Sequence, residues 1–214
     1  GDVAMVTPTS HRVRTLQKES VDRPAETVDW DVGEASRGGY PHFMLKEIFE
    51  APEVLTNSIR GRLIPSEGMS KLGGLESVAK ELKNIDRLII TACGTAYYAG
   101  LVGEYLIEDL AGVPVEVELS SEFRYRKPII GKNTAVLAIS QSGETLDTLE
   151  AIREGKRRGA LTLGIVNAVG STIARETDAG VYNHAGPEIG VASTKAFLSQ
   201  VEVLTLIALF LGRT

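Results

Sequence analysis

The chain has 214 residues, of which 43% are hydrophobic, and its 28 Asp and Glu outnumber its 23 Lys and Arg to give a formal charge of −5. This negative balance excludes a basic nucleic-acid-binding surface as the main feature of the protein. The hydrophobic content is sufficient for the core of one large domain, or of one ordinary domain with an appendage.

The cysteine and histidine content limits the possible chemistry. The sequence contains one cysteine, Cys93, and three widely separated histidines, His11, His42 and His184. This excludes an internal disulfide and the ligand spacing of a zinc site, and we expect neither a metal nor a cofactor. No signal pattern and no apolar run of about 18 residues are present, so we expect a soluble, cytoplasmic protein without a membrane span. Because residue 1 is glycine, we expect the sequence to be a piece of a longer protein.

The first 38 residues differ in character from those that follow. Two short alternating stretches, residues 2–6 and 13–17, predict a pair of strands too small to close a hydrophobic core. Pro24 and an acidic segment around Trp30 predict a linker, and we expect a structural role for this tryptophan.

A helix is predicted over residues 42–63. Pro52 is expected to bend this helix or to start a new helical piece, because proline removes a backbone donor and crowds the preceding turn. Apolar residues recur at spacings of four or seven along one face of it: Met44, Ile48, Leu55, Ile59 and Leu63.

From residue 75 onward, apolar strands alternate with helices. The predicted strands are residues 87–92, 114–119, 134–139, 161–166 and 180–182, and the predicted helices are residues 75–85, 95–110, 144–157, 171–176 and 193–211. Strands rich in Val, Ile and Leu between helices indicate a parallel sheet with helices on both faces. The predicted fold class is a doubly wound α/β fold, preceded by a helix and a short strand and linker segment. The last helix is apolar almost all round, which predicts core packing or a subunit interface.

Hydroxyl-bearing loops follow several of these strands, at the edge where ligands bind to open parallel sheets. The strongest signal is the loop of residues 140–145, which leaves a strand and enters a helix. Ser140, Ser142 and Thr145 offer hydroxyl groups, Gly143 permits close approach, and the helix start offers free N–H groups. This pattern predicts a site for a phosphate group.

A simpler interpretation of the same loop competes with phosphate binding. Ser142 could cap the following helix while Ser140 and Thr145 form local hydrogen bonds, since caps occur at most helices. Glu144 fits the capping interpretation, and it would repel a phosphate unless its carboxylate points away.

Four other residues have both a chemical and a structural interpretation, and the structural one is favoured for each. Cys93 is a nucleophile or a small buried residue at a strand end. Lys195 is an amine that forms a Schiff base or a paired structural lysine. Glu188 is a proton shuttle or an acceptor for backbone donors of its own loop, and His184 is a base or a packed histidine.

Three basic residues follow the second predicted strand. Arg124, Arg126 and Lys127 form either a basic rim near the top of the sheet or a solvated or paired loop, and the two interpretations are equally supported. We expect a structural role for His42.

Four separated motifs resemble the first sugar isomerase (SIS) domain of the glutamine:fructose-6-phosphate amidotransferase family. In chain order they are Cys-Gly-Thr at 93–95, Ser-Glu-Phe-Arg-Tyr-Arg at 121–126, Ser-Gln-Ser-Gly-Glu-Thr at 140–145 and Glu-Ile-Gly-Val-Ala-Ser-Thr-Lys at 188–195. The resemblance runs from about residue 40 to the end, and residues 39–48 are similar to the segment that introduces the isomerase half of the family.

The resemblance implies a binding site for fructose 6-phosphate or glucosamine 6-phosphate. It assigns the phosphate to four residues of one loop: Ser140, Gln141, Ser142 and Thr145. It assigns the sugar to the backbone of Val191 and to Ser193, with Thr95 and Ala96 in the neighbouring loop. Many family members have serine where Ala96 stands, so this chain loses a hydrogen bond worth about 0.5–1.5 kcal/mol.

The resemblance also implies which parts of the enzyme lie elsewhere. Residues 1–38 resemble the last strands of the glutaminase domain with its linker, residues 39–74 contain the introducing helix, and residues 75–214 form the first SIS domain. The implied partners are a second SIS domain, the glutaminase domain and a second copy in a homodimer. The catalytic groups of the family belong to these other parts, so we expect no catalytic residue in this segment.

Two other functions are alternatives to this assignment. One is a free-standing SIS module that senses a sugar phosphate. The other is a nucleotide-binding domain, which the missing glycine fingerprint disfavours.

Overall fold

The computed structural model of the chain describes residues 2–22 and 36–213. The chain divides into two compact units, residues 1–31 and 32–214. The first contains three antiparallel strands, β1 (Asp2–Val6), β2 (His11–Thr15) and β3 (Ser20–Val21), paired in the order β1-β2-β3. The predicted pair of strands is confirmed, with β2 displaced by two residues and β3 added. The expected linker around Trp30 lies outside the described residues.

The second unit begins with helical segments and a small hairpin. Its first elements are α1 (Phe43–Ile59), β4 (Leu63–Ile64), β5 (Met69–Ser70), a 3-10 helix (Gly73–Val78) and α2 (Ala79–Leu82). The α/β part that follows consists of β6 (Arg87–Ala92), α3 (Thr95–Ala111), β7 (Val115–Leu119), α4 (Ser120–Tyr125), β8 (Thr134–Ser140), α5 (Leu146–Arg157), β9 (Leu161–Val166), α6 (Thr172–Glu176), β10 (Ala179–Tyr182) and α7 (Lys195–Arg213).

The five strands from β6 to β10 form one parallel sheet in the order β10-β9-β8-β6-β7. The chain moves from β6 outward to β7, then returns to place β8 on the other side of β6. The direction of winding therefore reverses between β6 and β8, and the loops that follow these two strands diverge. This arrangement confirms the doubly wound α/β fold.

Helices cover both faces of the sheet, because successive strand residues point to opposite sides. Ile90 on β6 belongs to the core beneath α3 and α7, where it shares a cluster with Leu204. Its neighbour Ile89 belongs to the core beneath α4, α5 and α6, with Ile152 and Ile173. All seven residues of β8 are buried, so the strand that leads into the 140–145 loop is held rigidly.

Helix α7 is the one helix of the described residues that is long and apolar enough to cross a membrane by length and composition. It packs against α3 and α1, and its central residues Val203, Leu204 and Leu206 are buried. Of the two roles expected for this helix, core packing or a subunit interface, these contacts show core packing.

Helix α1 differs from the prediction in two respects. It runs unbroken through Pro52, so the expected new helical piece does not form. Proline has no N–H to donate to the carbonyl of Ile48, and both Pro52 and Ile48 are exposed residues. The predicted apolar stripe is also largely exposed at its start, with 43% of Met44 and 46% of Ile48 accessible, whereas Lys46 and Glu47 are buried.

Two other segments depart from the predicted elements. Residues 75–85 were expected to form one helix, but they belong to a 3-10 helix followed by the four-residue α2. Residues 120–125, which were assigned to no predicted helix, form the short helix α4, with Phe123 fully buried. In both segments, single residues make close contacts with distant parts of the chain, and a local sequence pattern does not reveal these contacts. A Cβ on Gly74, for example, would lie 1.9 Å from the carbonyl oxygen of Gly180 on β10.

This close approach is testable by substitution. We expect Gly74→Ala to lower the free energy of unfolding by about 1–3 kcal/mol, because the new methyl group would meet backbone that cannot move without disturbing β10. The matched control is Gly73→Ala, since a Cβ there has no described atom within 4 Å. Denaturant-induced unfolding measures both variants, and equal losses of stability would contradict the proposed contact.

Candidate functional site

A cavity of about 330 Å³ lies at the point where the winding of the sheet reverses. It is bounded by the loop after β6, the loop after β8 and the loop before α7. Its lining consists of Cys93, Gly94, Thr95, Ala96, Ile139, Ser140, Gln141, Ser142, Thr145, Val191, Ser193 and Gln200. All eight residues selected from the sequence as binding residues therefore lie around one cavity. Ligands bind to doubly wound sheets at this position.

The turn between β8 and α5 is organised by its own hydroxyl groups. The buried Oγ of Ser140 accepts a hydrogen bond from the N–H of Gly143 at 3.0 Å and lies 3.2 Å from Oγ1 of Thr145. The Oγ of Ser142 accepts a hydrogen bond from the N–H of Glu144 at 3.2 Å. These short-range bonds hold the hydroxyls in place along the wall of the cavity.

Gly143 is required in this turn for two independent reasons. Its φ of +66° lies in the left-handed region, which side chains with a Cβ disfavour. In addition, a Cβ at this position would lie 2.0 Å from Oγ of Ser171. Any residue with a Cβ at position 143 would therefore strain this turn and displace Ser171.

Two helices begin at the cavity, and neither is capped by a side chain. The N-cap residue of α5 is Thr145 and that of α3 is Gly94, and within the described chain neither makes a side-chain capping hydrogen bond. The interpretation of Ser142 as the helix cap is therefore wrong, because the helix begins later than Ser142. Uncapped first-turn N–H groups and the positive ends of two helix dipoles favour a bound anion.

Glu144 does not oppose an anion in the cavity. Its Oε1 accepts a hydrogen bond from the backbone N–H of Thr172, at the start of α6, at 2.8 Å. This hydrogen bond lowers the pKa of the Glu144 carboxyl group below its ordinary value. The carboxylate thus points away from the cavity, and it satisfies a free donor at the start of another helix.

Two carboxylates hold the loop that carries Val191 and Ser193. Glu188 Oε1 accepts hydrogen bonds from the N–H groups of Thr194 at 2.9 Å and of Ala196 at 3.2 Å, which confirms its structural interpretation. The buried Glu47 on α1 accepts hydrogen bonds from the N–H groups of Ile189 at 2.6 Å and of Gly190 at 3.0 Å. Because α1 and this loop are far apart in sequence, the sequence provides no signal for the role of Glu47.

Lys195 is a structural residue, as favoured from the sequence. Only 4% of it is exposed, and its Nζ lies 2.8 Å from Oε2 of Glu50, which also pairs with Lys46 at 2.9 Å. Burial acts to raise the pKa of the Glu50 carboxyl group, but the hydrogen bonds from Lys195 and Lys46 outweigh this effect and lower it. The lysine ammonium is therefore engaged by a carboxylate, and it is not one of the residues that line the cavity.

The basic residues after β7 are paired rather than gathered at the cavity. Arg124 Nη1 lies 3.0 Å from Oδ1 of Asp147, and Arg126 pairs with Glu116 and Glu118. The described lining of the cavity contains no basic side chain. Of the two equal interpretations, the structure therefore supports the paired loop for Arg124 and Arg126.

The remaining candidates are less central to the cavity. Cys93 is half-buried on the cavity wall, and Thr148 Oγ1 donates to its Sγ at 3.8 Å. His184 lies where the chain turns after β10 with a left-handed φ of +51°, and its ring centroid is 6.2 Å from that of Tyr182. His42 is exposed at the start of α1.

A second, larger hollow of about 560 Å³ lies at the opposite, amino ends of β8 and β9, near Thr134 and Leu161. Ligands of doubly wound sheets bind at the carboxyl ends of the strands, so this position argues against a functional role. The cavity between β6 and β8 is therefore the candidate site.

The fold and site define the class of protein. Residues 81–210 match the model of the SIS domain family, and the chain belongs to this family. It is 51% identical over its whole length to a glutamine--fructose-6-phosphate aminotransferase (isomerizing) of Chlorobaculum tepidum and 50% identical to that of Thermus thermophilus. It spans 35% of the length of these relatives.

Two solved structures are also similar to this chain in sequence and fold. The C-terminal domain of glucosamine-fructose-6-phosphate aminotransferase from Francisella tularensis is 41% identical with a TM-score of 0.77, over 83% of this chain and 49% of that one. A phosphosugar isomerase structure from Silicibacter pomeroyi is 25% identical with a TM-score of 0.63, over 80% of this chain and 50% of that one.

The first prediction for the site concerns the β8–α5 turn. Gly143→Ala is expected to lower the free energy of unfolding by roughly 2–4 kcal/mol, because it combines left-handed strain with a clash against Ser171. Gly159→Ala is the matched control, since Gly159 also has a positive φ of +86° but no described atom within 4 Å of a Cβ. We expect a loss of about 1–2 kcal/mol there. Calorimetric unfolding measures both, and a smaller loss at Gly143 than at Gly159 would contradict a clash between residue 143 and Ser171.

The second prediction concerns the carboxylate on α1. Glu47→Leu leaves the N–H groups of Ile189 and Gly190 without their acceptor, so we expect a loss of stability of about 1–3 kcal/mol. Hydrogen exchange at these two amides should become faster. The control is Glu53→Leu, at an exposed position on the same helix, where we expect a change within about 0.5 kcal/mol. Unchanged exchange at both amides in Glu47→Leu would exclude a role for Glu47 in holding the loop.

Proposed function

We propose that the chain is the first SIS domain segment of a glutamine–fructose-6-phosphate aminotransferase, and that its cavity binds fructose 6-phosphate or the product glucosamine 6-phosphate. The observation that carries the proposal is the meeting of two uncapped helix starts and several hydroxyl groups at one cavity. The 51% identity over the whole chain to a relative of that name supports the same assignment, and it gives no support to a free-standing regulatory module.

The phosphate and the sugar occupy different parts of the cavity in this proposal. Ser140, Gln141, Ser142 and Thr145 hold the phosphate oxygens with hydroxyl, amide and helix N–H donors, and no lysine or arginine is needed. The backbone of Val191 and the side chains of Ser193 and Thr95 contact the sugar. Ala96 lies at the position where a serine would add one further donor.

The segment binds the substrate rather than transforming it. The full reaction converts fructose 6-phosphate and glutamine to glucosamine 6-phosphate and glutamate, which requires acid–base groups and ammonia transfer. Among the described residues that line the cavity, Cys93 is the one titratable side chain. The catalytic groups of the parent enzyme are therefore supplied by other parts of it.

The partners in this proposal are the glutaminase domain, a second SIS domain and a second copy of the chain. The relatives are about three times as long as this chain, which covers 35% of them, and the chain covers about half of the Francisella C-terminal domain. The exposed apolar residues Met44, Ile48 and Phe49 on α1 provide surface for such contacts. We retain residues 1–38 as the end of the glutaminase domain, 39–74 as the introducing segment, 75–214 as the SIS domain, and a cytoplasmic location.

Calorimetric titration with fructose 6-phosphate tests the proposal, with AMP as a second ligand. We expect fructose 6-phosphate to bind and AMP not to bind. Thr145→Val removes one hydroxyl from the cavity and should weaken binding about two- to tenfold, whereas Ala96→Ser adds one and should strengthen it by a similar factor. Thr56→Val, on α1 and outside the cavity, is the control and should leave the affinity unchanged. Binding of AMP without binding of the sugar phosphate would overturn the proposal.

A further inference from the structure

We propose that Gln200 on α7 is a sugar-binding residue of the cavity, whose side-chain amide accepts a hydrogen bond from a hydroxyl group of the ligand. This inference rests on the proposed function, and it adds a contact that the sequence motifs do not contain. Gln200 lies in the second turn of α7, outside the loops that carry the four motifs.

The evidence is an unsatisfied polar atom at the cavity. Gln200 lines the cavity, and only 2% of its surface is exposed. Its Oε1 is buried and has no hydrogen-bond partner among the described residues. The large majority of buried side-chain polar atoms are paired, so an unpaired acceptor at the wall of a binding cavity indicates a group that arrives with the ligand.

Two buried polar residues near Gln200 in sequence, Ser199 and Lys195, do not supply the missing donor. Ser199 donates to the carbonyl oxygen of Ala196, and its Oγ also accepts a hydrogen bond from Nδ2 of Asn183 at 2.6 Å. Lys195, at the start of the same helix, is held by Glu50. Ser199 and Lys195 are thus both engaged elsewhere.

The chemistry of the acceptor selects the part of the ligand that it contacts. An amide oxygen requires a donor, and the dianionic phosphate of a sugar phosphate has none, whereas the sugar has several hydroxyl groups. A neutral amide also avoids the repulsion that a carboxylate would exert on a nearby phosphate. Gln200 is therefore suited to the sugar, while the β8–α5 turn is suited to the phosphate.

Phosphate binding and the sugar contact of Gln200 are provided by different structural elements. The proposed phosphate donors belong to the turn at residues 140–145 and to the start of α5, whereas Gln200 is supplied by α7. Helix α7 is anchored by the Lys195–Glu50 ion pair and by its buried packing on α3. The sugar contact can therefore be removed without altering the phosphate turn.

The experiment compares two ligands in the 214-residue chain and in Gln200→Met. Methionine has a similar length and removes the acceptor with little change in shape. Fructose 6-phosphate and inorganic phosphate are titrated separately by calorimetry, and the ratio of their association constants is the measured quantity. Thr205→Val, on the same helix and outside the cavity, is the control, and thermal unfolding is recorded for each variant.

We expect Gln200→Met to reduce the ratio of the fructose 6-phosphate and phosphate association constants at least fivefold, with phosphate binding unchanged. The melting temperature should stay the same or rise, because an unpaired buried acceptor has been replaced by an apolar group. A purely structural role would lower the melting temperature and weaken both ligands together.

A reduction of the ratio by less than fivefold overturns the inference. If the unmodified chain binds both ligands in that case, the proposed function stands and only the role of Gln200 fails. If the unmodified chain binds neither ligand, the proposed function fails, and the inference about Gln200 fails with it.

Discussion

The candidate site depends on one topological constraint, the reversal of the sheet between β6 and β8. Because the chain winds in opposite directions from these adjacent strands, the loops after them separate and leave a cavity between two helix starts. Neither Gly94 nor Thr145 caps its helix with a side chain in the described structure. The free N–H groups of α3 and α5 therefore face a common space. Such an arrangement attracts an anion without a basic side chain.

The third wall of the cavity is held by charges that do not line it. Glu188 and Glu47 accept backbone hydrogen bonds from the loop that carries Val191 and Ser193. Lys195 and Glu50 join the start of α7 to α1 by a partly buried ion pair. A loop of this kind has few local hydrogen bonds of its own, so buried carboxylates that accept its N–H groups limit its motion. The introducing helix is thus part of the support of the site, although it contributes no residue to the cavity lining.

The candidate site was more predictable from sequence than its surroundings. Ser140, Ser142 and Thr145 could be selected because hydroxyls beside a glycine at a strand-to-helix turn form a local pattern. Gln200 and Glu47 could not, since a glutamine on an apolar helix and a glutamate on an amphipathic helix are common. Pro52 was expected to bend α1 or to start a new helical piece, but the helix runs unbroken through it, at a position where Pro52 and Ile48 are both exposed. The direction in which the Glu144 carboxylate points could not be predicted from the sequence, because its hydrogen-bond partner, the N–H of Thr172, belongs to a different helix.

The sequence by itself determined the succession of strands and helices and the chemical character of the turns between them. These properties depend on residues close together in the chain, through periodic burial, turn geometry and helix starts. Only the tertiary structure decided that the turns after β6 and β8 and the loop before α7 share one cavity, that Glu144 points away from it, and that Gln200 enters it from α7. Each of these outcomes depends on contacts between segments far apart in sequence, which the sheet order and the packing of helices create, and which no local pattern encodes.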